Sequence, residues 1–559
     1  MQQPTQPGRP ISAESFPTDP TGLPEATRPE LLELADGDDL HLRIGPVAKR
    51  LGDTTVRMLG YNGSIPGPTL KVQQGAEVVV HVVNEGDLEA TVHWHGLRLD
   101  NAYDGVPHET QTPIPIGGDF TYRIRFPDPG LYWYHPHIRE DYTQEMGLYG
   151  NILVVPSDPD YWLPANRDVL LTLDDVLLED GRIAPFSRAE TNYTGMGRYG
   201  NLLLVAGEPD LSVTAAAGEV VRLWLTNTAN TRVFNVRLPG ARMKLVGGDS
   251  GRVEHEEFVS EVLLAPSERA VVDVLFGQPG ELELQHRTPE QTYRLAAVTV
   301  TGERAAPSLA GQFEVLRRAP ELEDERQAVG AWLDAPPDKT LAFAVETGDP
   351  SGPPPGRGPV VYVCPTHPEV TTPEPGRCPR CGMELLAAAP ATQPAGHDAA
   401  AVPHAYAGGD HPGEDHRQGA AEGIVWEEDR AAANRMTTPA NTRWKLVDPA
   451  TGAANAAIDW RFTVGDRVKI RLVNEMDDPM QHPFHLHGAG RFLVLARDGV
   501  AEPNLVWKDT VLVCNDQTVD ILFDVTNPGL WMAHCHIAEH MQSGMMFSFN
   551  VARDREPAR

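Results

Sequence analysis

One pattern occurs three times in this chain, and it narrows the fold more than any other feature. "LKVQQGAEVVVHVVNE" (70–85), "LSVTAAAGEVVRLWLTNT" (211–228) and "WRFTVGDRVKIRLVNE" (460–475) each pass from an alternating strand through a Gly turn into a Val-rich strand ending in Asn. Alternation of period two gives a strand one buried face. Further runs such as "NILVVP" (151–156) and "RAVVDVLF" (269–276) are rich in Val, Ile and Leu and are punctuated by Gly, Pro, Asn and Asp. Long amphipathic helical patterns are scarce. The fold class expected is all-β, with three homologous sandwich or Greek-key barrel domains. The expected organisation is a flexible tail over 1–27, domains over 28–157 and 158–305, and an interdomain linker over 306–337. A third domain begins at 338–349 and resumes over 422–553, interrupted by an insertion at 350–421.

A second echo is sharper. "PDPGLYWYHPH" (127–137) parallels "TNPGLWMAHCH" (526–536), and the middle copy has no His-x-His. Ten of the twenty histidines fall in four motifs, "HWHG" (His93, His95), "HPH" (His135, His137), "HPFHLHG" (His482, His485, His487) and "HCHIAEH" (His534, His536, His540). On a strand, residues i and i+2 share a face, so each His-x-His aims two imidazoles one way. Imidazole suits Cu, Zn, Fe and Ni. A lone His-x-His arises by chance, but four in two repeat-related couples point to a metal cluster. Eight imidazoles are too many for one ion and suit about three.

The remaining donors form a second set. His482, Cys535, His540 and Met545 offer two nitrogens, a thiolate and a thioether. Two His and a Cys with a weak axial Met is the blue-copper electron-transfer combination. Zinc has little use for the thioether.

These four motifs, in this order, resemble those of the multicopper oxidases. The flanking "NLVWKDTVLV" and "NPGLWMAHCHIAEHMQSGMMFSFNV" are most similar to bacterial three-domain laccase-like members. The resemblance covers roughly residues 28–553 apart from 350–421, and it implies three cupredoxin-like domains and four coppers. The type 1 copper would take His482, Cys535, His540 and Met545. The type 2 copper would take His93 and His485. One type 3 copper would take His95, His135 and His536, and the other His137, His487 and His534. The cluster would then sit between the first and third domains, with the middle domain mainly a spacer. The implied activity removes single electrons from phenols or similar donors at the type 1 copper and reduces dioxygen to water at the trinuclear cluster. The alternative is a cuprous oxidase of copper tolerance. A non-enzymatic scaffold is disfavoured because every ligand position is filled. Family position also implies Asp104, in "NAYDGVP", as the acid serving the cluster, with Asp100 as competitor and an Asp-Gly turn as the plainer reading. Relatives with Glu directly after the second type 1 histidine have no match here, where Met541 follows and Glu539 precedes His540. The family implies a periplasmic or secreted location.

Inside the Pro/Gly/His-rich insertion, "YVCPTHPEVTTPEPGRCPRCGMEL" (362–385) sets Cys364-x-x-His367 against Cys378-x-x-Cys381. Paired ligands on two turns suit a tetrahedral site. The stretch, about 360–386, resembles the heavy-metal-binding module of metal efflux proteins, with Zn or Cu as its ion and Met383 as a further soft donor. His397, His404, His411 and His416 follow it.

Composition mainly excludes. A net charge of -31, from 47 basic and 78 acidic residues, disfavours nucleic acid and anionic membranes as partners. No run of about 18 apolar residues exists to span a membrane. The N-terminal stretch is polar and Pro-rich, unlike a signal peptide. Five cysteines exclude a disulfide scaffold. Cys514 reads as a small buried hydrophobe, and His41, His81, His108, His255 and His286 lack ligand-spaced partners.

Overall fold

The computed structural model describes residues 15–347, 361–364, 370–372, 377–380, 385–388, 423–428, 430–476 and 480–553. Strands dominate them, arranged as pairs of packed sheets. In the N-terminal part, five strands run in the order Leu31–Leu34, Thr69–Gln73, Gly150–Val155, Gly130–His135, His93–His95. They face a four-stranded sheet of Thr54–Tyr61, Asp39–Leu51, Glu77–Asn84 and Asp119–Arg125. Leu42, Val80, Trp94, Tyr134 and Ile152 fill the space between. The middle part packs a six-stranded sheet on a five-stranded one around Leu225, Phe234 and Val272. The C-terminal part packs a seven-stranded sheet on a five-stranded one around Trp444, Phe484 and Phe523.

The sequence repeat has a mechanical meaning. Its closing residues, Asn84, Asn227 and Asn474, are fully buried. Each side-chain amide donates across the barrel end to loop carbonyls. Asn84 reaches Leu88 and Ile114, Asn227 reaches Arg232 and Leu264, and Asn474 reaches Met480, Val513 and Cys514. In the first and third copies the pinned loop leads into a His-x-His strand. The second echo is equally local. Gly130 and Gly529 adopt φ of +147° and +142°, and a Cβ at Gly529 would meet Asn101 Cγ at 2.5 Å. Only glycine opens these strands.

Two segments differ from expectation. The tail is not loose throughout 1–27. Phe16 stacks on Tyr142 at 3.8 Å, its amide donates to Phe186 at 3.1 Å, and Glu25 bridges to Ala48. The segment over 306–337 contains a helix, Pro320–Leu333, with Pro in the first turn. It sets Leu322 and Val329 against Leu493, Leu495 and Trp507. With two buried residues in fourteen, its apolar stripe is too thin to read from sequence.

The insertion leaves and rejoins one sheet. Lys339–Thr347 pairs antiparallel with Thr442–Asp448 and parallel with Arg467–Asn474. Between them, Val361–Val363, Thr371–Thr372 and Leu386–Ala388 form a separate three-stranded sheet.

Candidate metal centre

Two strand pairs position the histidines. His93 lies opposite His135 across one pair, and His485 opposite His534 across the other. Cys535 lies opposite Phe484. Alternation therefore turns Phe484 and Cys535 into the C-terminal core and turns His485, His534 and His536 out of it, toward the N-terminal part. Donor atoms within 4.8 Å of one another form four groups relevant here. They are His93, His95 and His485; His95, His135 and His536; His137, His487 and His534; and His482, Cys535 and His540. All are buried. Met545 is fully buried in the same core as Cys535, and its carbonyl accepts from the Cys535 amide at 3.2 Å.

The orientation of the rings fits metal ligation. In several rings one nitrogen is tied down from outside, whereas both nitrogens of His536 are buried without a hydrogen-bond partner. His93 Nδ1 donates to the Asp104 carbonyl at 2.7 Å, His135 Nδ1 to Pro136 at 2.9 Å, and His485 Nδ1 to Asp509 at 2.9 Å. His95 uses Nε2 instead, donating to Asp509 Oδ1 at 2.9 Å. The opposite nitrogens, His93 Nε2, His95 Nδ1, His135 Nε2 and His485 Nε2, are buried without a hydrogen-bond partner. Such outer bonds fix the tautomer and present the free lone pair inward. Nε2 of His487 lies 3.1 Å from that of His534 and 3.3 Å from that of His137. Burial, reinforced by neighbouring imidazoles, holds His95, His135, His137, His485, His487 and His536 well below the ordinary imidazole range. Burial, aided by His93 and opposed by the Cys535 carbonyl and Asp104, brings His534 down to about 4. The rings are thus neutral, as a cation requires.

The sulfur set lies inside the C-terminal core. His482 Nδ1 is 3.4 Å from Cys535 Sγ, His540 Nδ1 is 3.8 Å from it, and the two nitrogens are 3.3 Å apart. Burial depresses His482 to about 3 and pushes the Cys535 thiol up. Trp444 roofs the set. It stacks on His540 at 4.2 Å, meets His482 edge-on at 4.7 Å, and donates its indole N–H to Thr194 at 2.6 Å.

Asp104 is fully buried, and its Oδ2 accepts from His487 Nδ1 at 2.8 Å while Oδ1 lies 3.3 Å from His93 Nδ1. Asp100 is exposed and caps the short helix Asn101–Tyr103. Sequence reasoning missed Asp509 and Arg269. Arg269, from the middle part, donates to both Asp509 oxygens at 2.7 and 2.5 Å and to the Leu131 carbonyl at 2.9 Å. Gly96, at φ +84°, leaves the space these groups occupy. The middle part is therefore more than a spacer, since its guanidinium anchors the carboxylate that orients His95. Glu140 Oε1 lies 3.2 Å from His137 Nδ1. That pair is only three residues apart, but the pairs of Asp509 with His95 and Arg269 span 414 and 240 residues and no local spacing signals them.

In the inserted module, Cys364 and Cys378 are buried with Leu385, whereas His367 and Cys381 lie outside the described residues. Cys514 is buried beside Trp426 and Leu512. His41 stacks on His81, and His286 is buried against Phe234. His108 is exposed.

Buried imidazole groups between two β-domains, beside a sulfur-containing group within one, define a metal-dependent oxidoreductase of cupredoxin type. Sequence profiles of the multicopper oxidases match residues 46–159 and 428–555, and the heavy metal binding domain profile matches 361–388. The chain belongs to the multicopper oxidases and carries an inserted heavy-metal-binding domain. It is 26% identical over 530 residues to the multicopper oxidase MmcO of Mycobacterium tuberculosis, covering 89% of this chain and 84% of that protein. It is 29% identical over 143 residues to copper resistance protein A of Pseudomonas syringae pv. tomato, which covers 26% of this chain and 23% of that one. The fold is shared with a multicopper oxidase from Campylobacter jejuni described as a metallo-oxidase, at TM-score 0.61 and 19% identity, covering 96% of this chain and 98% of that one.

Proposed function

We propose that this enzyme is a cuprous oxidase of copper tolerance, oxidising Cu(I) to Cu(II) at the expense of dioxygen, in preference to a phenol-oxidising laccase. The observation that carries this reading is the roof over the sulfur set. His482 and His540 are 0% exposed and Trp444 is 1% exposed, so a phenol ring has no imidazole edge to touch. The fused heavy-metal-binding module and the likeness to a copper resistance protein support it.

The residues would hold four coppers. His482, Cys535, His540 and Met545 suit a type 1 ion, His93 and His485 a type 2 ion, and the two remaining imidazole triads a type 3 pair. Bound copper supplies one-electron redox chemistry and the reduction of dioxygen to water. The chain's own contributions are orientation and protons. Asp509 and Asp104 fix the tautomers of His95 and His487. Asp104 Oδ1 is buried and makes no hydrogen bond, so it is the atom we assign to carry a proton into the imidazole pocket. The strand Gly529–Cys535 joins the two sites covalently, because Cys535 lies between His534 and His536. We place the protein in the periplasm or outside the cell, which fractionation of the native host tests.

The deciding measurement is dioxygen uptake with Cu(I) and with a phenol. A Cu(I) efficiency well above the phenol value is expected. A phenol efficiency above that for Cu(I) would reverse the order and favour the laccase reading.

A further inference from the structure

A cavity of ≈ 290 Å³ at the start of the strand Met546–Ala552 is built from residues the proposed reaction leaves unused. His108, Glu109, Leu530, Met546 and Ser548 line it, and so does Arg380 of the inserted module, two residues from Cys378. Met546 is only 3% exposed and belongs, with Val106, Met532 and Met541, to a small buried cluster separate from the main cores. That cluster abuts the imidazole pocket. Val106 follows Asp104 by two positions, the Met532 carbonyl accepts from the His487 amide at 3.0 Å, and Met546 lies directly opposite His534.

The plain reading of buried methionines is gap filling. Here they occupy a particular place, between a cavity bearing an imidazole and a carboxylate and a pocket of ligands none of which is more than 5% exposed. Thioether and imidazole are the donors that suit Cu(I). The cavity rim is also held in an uncommon conformation. His108 has φ of +62°, which few residues other than glycine adopt, and its amide donates to Gln111 at 2.6 Å. Glu109 is fixed by the Ser548 hydroxyl, 2.8 Å from both carboxylate oxygens.

We propose that this cavity is a Cu(I) acceptance site. It receives the ion from the module and passes it along the Met546, Met541 and Met532 thioethers to load the buried imidazole pocket. No electron moves in this transfer, and the ion exchanges one set of soft donors for the next. The proposal rests on the imidazole pocket being a copper site, not on Cu(I) being the electron donor.

The test uses the full chain and Cu(I) buffered by bicinchoninate without oxygen. The copper-loaded protein is titrated for Cu(I) held beyond its resident ions, and chelator-stripped protein is reloaded from the same buffer. Wild type should hold extra Cu(I) at both the module and the cavity. Cys364→Ser with Cys378→Ser should remove the module's share alone. His108→Ala with Met546→Leu should weaken the cavity's share by ~10-fold or more, the scale on which supporting groups alter metal affinity. Timed samples are freed of excess Cu(I) and oxidised with ferricyanide before spectra are taken; in that variant the signature of the imidazole cluster should return more slowly, while the blue thiolate-to-copper band returns at the wild-type rate and certifies the fold. His108→Ala alone, on the exposed rim, should show the weakened binding with no change in melting temperature. Wild-type Cu(I) content and wild-type reloading in both variants would overturn the proposal. Dioxygen uptake with Cu(I) is recorded separately, so failure of the electron-donor reading leaves the binding count to decide the cavity.

Discussion

At the scale of single residues, the ligands were legible because their spacing is local. Four His-x-His motifs and an interposed cysteine announce shared faces on strands. The groups that orient them were not, because His95 meets Asp509 across 414 residues and Asp509 meets Arg269 across 240. Cys535→Ser should abolish the blue band and substrate oxidation while the imidazole pocket still loads copper. Retained oxidation in that variant would contradict the assignment. Arg269→Met should strand the buried Asp509 carboxylate at a cost of about 3–5 kcal/mol. Calorimetry reads the loss, and EPR should show the imidazole cluster altered with the type 1 signal intact. Arg269→Lys should rescue little, since one ammonium cannot replace a bidentate fork. Glu145, beside Arg198, is pushed up to about 7 by burial against the lowering effect of that arginine. Its folded value lies above the unfolded one, so the folded state binds the extra proton between about pH 4.5 and 7. The stability from this group is complete below that window and declines as pH rises through it. Glu145→Gln should therefore gain stability relative to wild type above pH 7, as thermal melts across pH will read. An equal difference at pH 5 and pH 8 would exclude this linkage.

At the scale of elements, the thrice-repeated strand pair was visible as period-two alternation, but the reason for its final asparagine was not. Asn474 closes its barrel end by donating to the Met480 carbonyl, just before His482, and to the adjacent Val513 and Cys514 carbonyls at the end of the strand Thr510–Val513. Asn474→Ala should leave them unsatisfied at ~1–3 kcal/mol and loosen the loop carrying His482. The check is a lower melting temperature with a broadened type 1 EPR signal. Asn227→Ala, in the copy without His-x-His, should lower stability and leave that signal unchanged. The helix Pro320–Leu333 escaped sequence reading because tertiary packing on Leu493 and Trp507, rather than an amphipathic pattern, holds it. The same holds for Phe16, whose partner Tyr142 is remote in sequence.

At the scale of the molecule, the imidazole pocket joins the N- and C-terminal parts, with Arg269 of the middle part behind it. Copper bound there should stabilise the folded chain by mass action, about 4 kcal/mol at a thousandfold excess over Kd. Stripped protein should melt at a lower temperature than loaded protein, and identical transitions would argue against a site between domains. Excision of 350–421 should leave that difference intact, because Lys339–Thr347 and Thr442–Asp448 are neighbours in one sheet. The sequence by itself determined the β class, the repeats and the donor inventory, because strand periodicity and ligand spacing act over a few residues. Tertiary structure alone decided which imidazole nitrogen faces inward, what roofs the sulfur set and where the methionines gather. Those depend on which groups meet in a dry interior, some of them hundreds of positions apart, such as His95 with Asp509 and His487 with Asp104, where hydrogen bonding and burial set each group's orientation and charge.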